Sequence, residues 1–190
     1  MHFGPEETGE ERQHVLEELA DAVVVGLRDY CQKSGIERIV LGLSGGIDSA
    51  VAACVAAEAV GAENVLGISM PSRFSSQHSI DDAKYTAESL GMEFASIPID
   101  SYHSSLEQNL SEMLEDGANV AQENIQARLR GIVVMAHANA QGRMAIATGN
   151  KSELAQGYCT LYGDMAGGYT PLGDVYKMEV YGLAKVFNRR

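Results

Sequence analysis

The run Ser44-Gly45-Gly46-Ile47-Asp48-Ser49 stands between a β-branched apolar stretch, residues 38–43, and an alanine-rich stretch, residues 48–60, that Gly61 stops. This reads as strand, loop and helix in immediate succession, which confines the chain to folds that place such a loop at the edge of a sheet. Two glycines let the backbone turn tightly and approach a ligand with no Cβ in the way, and the helix that follows presents its unpaired first-turn N–H groups there. Phosphate is the natural guest. Gly42 and Leu43 lead into the loop, and the hydroxyls of Ser44 and Ser49 add donors. The carboxylate of Asp48, which would repel phosphate directly, suits a Mg²⁺ ion that bridges phosphate oxygens. An ordinary strand-to-helix turn uses glycines in the same way, with an aspartate that merely favours the helix N-terminus. The run lacks the terminal Gly-Lys-Ser/Thr of one common nucleotide loop and the Gly-x-Gly-x-x-Gly of another.

The rest of the chain repeats the strand-then-helix theme. Val15, Leu16, Leu19, Val23 and Leu27 recur at helical spacing up to Tyr30, after a polar, acidic segment that predicts a flexible tail over residues 1–13. Strands are predicted at 65–70, 93–99 and 144–148, and helices at 79–90, 102–114 and 120–140, with Asp81 and Asp82 in the first turn of the 79–90 helix. Alternation of this kind predicts one α/β domain over residues 1–190: a doubly wound parallel sheet with helices on both faces. The expected strand order is 3-2-1-4, with room for a fifth strand beyond the fourth, so that strands one and four meet at the switch point where ligands bind. The glycine-rich stretch 157–173 is expected to be the most mobile loop.

Composition narrows the partners. The chain has 190 residues, of which 45% are hydrophobic and 21% charged, and no apolar run nears the roughly 20 residues of a membrane span. A net charge of −12 opposes nucleic-acid binding, which depends on lysines and arginines displacing counterions. Neither a nucleic acid nor a membrane is expected as partner. The first residues lack the basic and apolar parts of a secretory leader. Cys31, Cys54 and Cys159 are odd in number and lack metal-type spacing, which suits a reducing cytoplasm.

The loop hexapeptide resembles the signature of the ATP pyrophosphatase superfamily, whose members cleave ATP between the α and β phosphates and transfer AMP to an acceptor. Three further segments extend the likeness: Met70-Pro71-Ser72-Arg73-Phe74-Ser75-Ser76, Ala147-Thr148-Gly149-Asn150-Lys151-Ser152-Glu153-Leu154, and Gly157-Tyr158-Cys159-Thr160-Leu161-Tyr162-Gly163-Asp164-Met165-Ala166-Gly167-Gly168. Together they are similar to NAD synthetases, and in particular to the synthetase domain of the glutamine-dependent enzymes. The resemblance spans about residues 39–181. It implies a ligase that uses ATP and Mg²⁺ to amidate nicotinic acid adenine dinucleotide to NAD through an adenylylated carboxylate, releasing AMP and pyrophosphate. Another adenylylating amidase or thiolase of the superfamily, or a nucleotide-binding module without catalysis, remains open at this point.

Residue by residue, the resemblance implies ATP contacts from Gly42, Leu43, Ser44, Gly45, Gly46, Ile47, Asp48, Ser49, Thr148 and Lys177. It implies contacts to the deamidated dinucleotide from Asn124, Arg128 and Glu153, and a role in metal binding for Asp48, Glu153 and Asp164. Asn124 and Arg128 lie four apart and share a helix face beside an apolar stripe of Ile125, Leu129 and Ile132, whereas Arg130 is expected to point elsewhere. Cys159 is expected to be a small buried thiol, not a nucleophile. Ammonia, free or supplied by a separate glutaminase, is the implied nitrogen donor, and a homodimer the implied assembly. The helical pattern at Asn188-Arg189-Arg190 has no stop signal, so part of the family domain is expected to be missing beyond it.

Overall fold

The structure, a computed structural model, describes residues 9–114 and 119–190. In chain order the elements are α1 (Gly9–Ser34), β1 (Ile39–Gly42), α2 (Ile47–Val60), β2 (Val65–Ser69), α3 (Gln77–Leu90), β3 (Glu93–Ser96), α4 (Asp100–Asn109), α5 (Asn119–Gln141), β4 (Met144–Ala145), α6 (Lys151–Gln156) and α7 (Lys177–Phe187). The strands form one parallel sheet in the order β3-β2-β1-β4. The anticipated order and class are therefore present. Among the described residues a fifth position is represented by a single parallel bridge between Ile146 and Tyr169.

Alternation along β1 sorts the two layers, because successive side chains leave opposite faces of a strand. Ile39 and Leu41 enter a core built with α1, α2 and α7, including Leu27, Val51, Val55, Val180 and Leu183. Val40 enters a second core with Ile68, Ile99, Leu129, Val134 and Ala138, on the α5 side. Each fully buried valine, leucine or isoleucine among them contributes about 1.5–3 kcal/mol of transfer free energy.

The boundaries differ from the periodicity reading in instructive ways. α1 begins at Gly9, ahead of Val15, and residues 1–8 of the expected tail lie outside the described residues. α3 begins at Gln77, capped by the Ser76 hydroxyl, so Asp81 and Asp82 fall in its second turn and pair with Gln77 and His78. α4 runs from Asp100 to Asn109. β4 is cut to two residues because the chain changes partner: the Ile146 N–H still donates to Val40, but the Ala147 N–H donates to Tyr169 across the opposite edge. The stripe on α5 is rotated from the expected one, since Ile132 is 63% exposed while Leu129, Val134 and Ala138 are buried.

Gly45 holds the key turn. Its φ is +80°, and a Cβ there would lie 2.9 Å from both the Cα and the carbonyl carbon of Ser79 and closer still to its oxygen. The first turn of α3 thus rests directly on the β1–α2 loop. Gly45→Ala combines a left-handed φ with this clash and is expected to lower stability by at least about 2 kcal/mol in urea unfolding. A change within experimental error would show that the loop can relax away from α3.

Candidate active site

The loop after β1 folds on its own hydroxyls. Ser49 Oγ donates to the Gly46 carbonyl (2.8 Å), the Gly46 N–H donates to Ser44 Oγ (3.2 Å), and the Ser44 N–H donates to Ser49 Oγ (3.2 Å). Gly46, the N-cap of α2, has no side chain to satisfy the first-turn N–H groups. The first-turn N–H groups of α2 are therefore left without a side-chain cap, with Asp48 the acidic residue of that turn.

Two adjoining clefts meet at this terminus. The larger, about 450 Å³, lies past the C-terminal ends of β1 and β2, between α3 and α5, with Gly42, Leu43, Met70, Ile80, Val134 and Ile146 among its walls. The smaller, about 220 Å³, is bordered by Asp48, Ser49, Glu153, Cys159 and Asp164. Ser44, Ala147, Thr148 and Asp164 line both, so they form one continuous depression at the β1/β4 switch point. Of the expected ATP contacts, Gly42, Leu43, Ser44, Asp48, Ser49 and Thr148 line it. Gly45, Gly46 and Ile47 shape the loop without lining either cleft.

Lys177, the first residue of α7, reaches across to pair with Asp48 Oδ2, and the other oxygen, Oδ1, accepts from Asn150 Nδ2 at 3.0 Å. Asn150 is fully buried and caps α6: its Oδ1 accepts from the Glu153 N–H (3.1 Å), while Glu153 Oε2 accepts from the Asn150 N–H (3.0 Å). Asp164 Oδ1 accepts from the Thr160 N–H at 2.9 Å. Asp48, Glu153 and Asp164, expected to share a metal, are thus brought to one cleft but not to one point. Asn150 holds both Asp48 and Glu153, Thr160 holds Asp164, and among the described residues no set of three or more acidic, cysteine or histidine side chains converges.

Asn124 and Arg128, expected to contact the deamidated dinucleotide, line neither cleft and bond to the neighbouring loop. Asn124 Oδ1 accepts from Thr160 Oγ1 (2.7 Å) and Arg128 Nε donates to the Leu161 carbonyl (3.2 Å), so both fasten the glycine-rich segment to α5. The backbones also touch. A Cβ on Gly131 would be 2.9 Å from the Gly163 oxygen, and one on Gly163 would be 2.9 Å from the Ala127 carbonyl carbon. The segment expected to be mobile is docked over residues 160–164.

Two residues were missed from sequence. Arg130, expected to face away, lines the larger cleft and donates from Nε to the Met70 carbonyl at 3.3 Å; burial lowers its pKa, and no carboxylate pairs with it among the described residues. Asn150 was visible only as part of a motif, although Asn-x-x-Glu at 150–153 carries the signature of a capping box. Cys159 is half-buried and borders the smaller cleft, in place of the expected burial.

A family model described as NAD synthase matches residues 19–189. The chain belongs to the NAD synthase family. The glutamine-dependent NAD(+) synthetase of Rhodobacter capsulatus is 53% identical over 161 residues, covering 84% of this chain and 29% of that protein. Its counterpart from Synechocystis is 51% identical over 174 residues, covering 91% and 31%. The chain thus spans about a third of the length of the curated relatives it matches. Among solved structures, a glutamine-dependent NAD+ synthetase from Acinetobacter baumannii in complex with ADP superposes with a TM-score of 0.88 at 41% identity, over 98% of this chain and 34% of that one. The NH3-dependent NAD synthetase from Campylobacter jejuni gives 0.82 at 33% identity, over 91% and 73%. The likeness to this family, glutamine-dependent members included, is the one carried by the four motif segments. Among the described residues no helix is long and apolar enough to cross a membrane.

The thiols give a direct check on the cleft. Burial first, and the nearby Glu58 second, push the Cys54 pKa up to about 11, and burial also raises that of Cys31. A raised pKa means less thiolate, the reactive form, at any pH below it. At pH 8 iodoacetamide is therefore expected to label Cys159 first, with Cys54 labelling rising only as pH approaches 11. Faster labelling of Cys54 in peptide mass spectrometry at pH 8 would contradict this arrangement.

Proposed function

We propose that this chain is the ATP-using part of an NAD synthetase, a ligase that amidates the nicotinate carboxylate of nicotinic acid adenine dinucleotide. The observation that carries the reading is the continuous depression in which the open terminus of α2 and Arg130 offer donors beside an apolar cleft, with Lys177 paired to Asp48 at its margin. The apolar walls of the larger cleft suit a purine, and the α2 terminus suits its phosphates. The ADP complex of the Acinetobacter relative supports an adenine nucleotide here.

The chemistry asks little covalent work of the protein. A carboxylate oxygen attacks the α phosphorus, the bond to pyrophosphate breaks, and the acyl adenylate forms. Ammonia then adds to the acyl carbon, AMP leaves with the former carboxylate oxygen, and the nitrogen loses its extra proton to water. The chain's residues bind and orient: Ser44, Ser49 and the α2 N–H groups hold the pyrophosphate, and Lys177 turns from Asp48 to the phosphates as charge grows there. Mg²⁺ fits the donor set, since Asp48 and Glu153 offer hard carboxylate oxygens on the same cleft and would hold it. When bound, it would offset the charge building on the departing pyrophosphate.

The nitrogen donor is ammonia, either free or released from glutamine by a glutaminase unit outside this sequence; the names of the curated relatives support the second source. We also propose a homodimer working in the cytoplasm. A second acceptor is favoured by one likeness, to an NMN synthetase from Francisella tularensis at 33% identity and a TM-score of 0.82, over 91% of this chain and 71% of that one. On that reading the deamidated mononucleotide is the substrate.

The test is incubation with ATP, Mg²⁺, excess ammonium and either the deamidated dinucleotide or the deamidated mononucleotide. NAD, AMP and pyrophosphate are expected in equal amounts from the dinucleotide. No product from folded protein would overturn the reading, and faster turnover of the mononucleotide would replace its substrate. Asp48→Asn is expected to abolish Mg²⁺-dependent turnover with the circular dichroism spectrum unchanged. Arg130→Met is expected to raise the KM for ATP about tenfold, the worth of one charge-assisted hydrogen bond. An unaltered KM would remove Arg130 from the nucleotide site.

A further inference from the structure

We infer that Asn150 is a positioning residue: it fixes the carboxylate of Asp48, through Nδ2, in register with α6 and α7, and so sets where the metal–nucleotide complex sits. The inference rests on the proposed function for its enzymatic readout, but its geometry stands alone.

Asn150 follows β4 at the switch point, and its side chain is wholly removed from solvent. Its orientation is decided by chemistry, because the Glu153 N–H can only donate and a carboxylate can only accept. Oδ1 must therefore face α6 and Nδ2 must face Asp48, as the 3.1 Å and 3.0 Å contacts have it. One amide thus performs two separable tasks, capping α6 and holding one oxygen of an aspartate 102 residues earlier in the chain. The helix it caps also fixes the start of α7: the Lys177 N–H donates to Ser152 Oγ at 3.0 Å, and the Lys151 N–H donates to the Val175 carbonyl at 2.9 Å. Asp48 and its cationic partner Lys177 are consequently both referenced to the first turn of α6.

A cap alone needs no donor toward Asp48, since serine, aspartate and asparagine cap about equally well. The Nδ2 contact is the part that capping leaves unexplained. A buried amide that pins a charged side chain restricts it to one orientation, and the loss of such an outer partner typically costs about 10–100-fold in metal affinity or activity.

Asn150→Ser separates the tasks, because it keeps a helix cap, adds no charge and is too short to reach Asp48. Its melting temperature is expected to stay near that of the parent. Binding of Mg²⁺ with α,β-methylene-ATP, an analogue that cannot be cleaved at the reacting bond, is expected to weaken about tenfold or more in calorimetry. The Mg²⁺ midpoint for NAD formation with ammonium should move by the same factor. In an Asp48→Asn background the serine change should add nothing further, since Asn150 acts through Asp48.

If Asn150→Ser fails to fold, Asn150→Asp keeps the shape and the cap but withdraws the donor and sets a like charge beside Asp48; it too should lose at least about tenfold in analogue binding. Parental binding in the folded variant, or an equal loss with and without Asp48, would overturn the proposal. Should the parent bind the analogue yet make no NAD, the proposed function fails while the binding comparison still decides the role of Asn150.

Discussion

The pairing of β1 on both of its edges is the constraint from which the site follows. Its register with β2 runs from Ile39 opposite Val65 to Gly42 opposite Ile68, and with β4 from Ile39 opposite Met144 to Val40 opposite Ala145. A slip of one residue would exchange Val40 with Ile39 and Leu41 between two cores that are already filled, so the register is held by packing on both sides. With it fixed, the chain leaves β1 and β4 at the same end of the sheet. The loops at Ser44 and Thr148 then have to face one another.

Close backbone approach sharpens that placement. Gly45 lets the first turn of α3 sit on the phosphate-facing loop, and Gly131 with Gly163 lets residues 160–164 lie against α5. Neither contact creates chemistry by itself. They set the height of the walls, so that the apolar cleft and the carboxylate-lined one share Ser44 and Thr148 instead of opening to solvent separately.

What could be read from sequence was local. The α2 loop and the alternation of strand and helix depend on residues close in the chain, strand order followed from the crossover rules for parallel sheets, and motif similarity named the family. The rotation of α5 could not be read, because Ile125, Leu129 and Ile132 make as good a stripe on paper as the one that is buried. The choice of Val134 and Ala138 over Ile132 is made by the sheet beneath, which the helix cannot announce. That rotation brings Arg130 to the cleft and leaves Asn124 and Arg128 facing the 160–164 turn. The Asn150–Asp48 bond was hidden for a similar reason: 102 residues separate its ends, and asparagine suits a helix cap without it.

An acidic chain proposed to take a polyanion presents an apparent conflict, with a net charge of −12 set against triphosphate. Distance resolves it. At physiological ionic strength charges are screened over about 8 Å, so surface carboxylates such as Glu17, Asp29 and Glu88, each already paired with a lysine or arginine, weigh little at the cleft. On the proposed reading a phosphate there would meet the α2 terminus and Arg130, with Lys177 close by at Asp48. Asp48, Glu153 and Asp164 are the carboxylates on the same depression, and Asp48 has an ammonium on one oxygen and an amide N–H on the other. The carboxylate is therefore compensated before any ligand arrives. On the proposed reading, Asp48 would hold the metal ion and Lys177, freed from it, would donate to the phosphates. The local field can thereby turn more positive as the negative substrate enters, with the rest of the protein's charge unchanged.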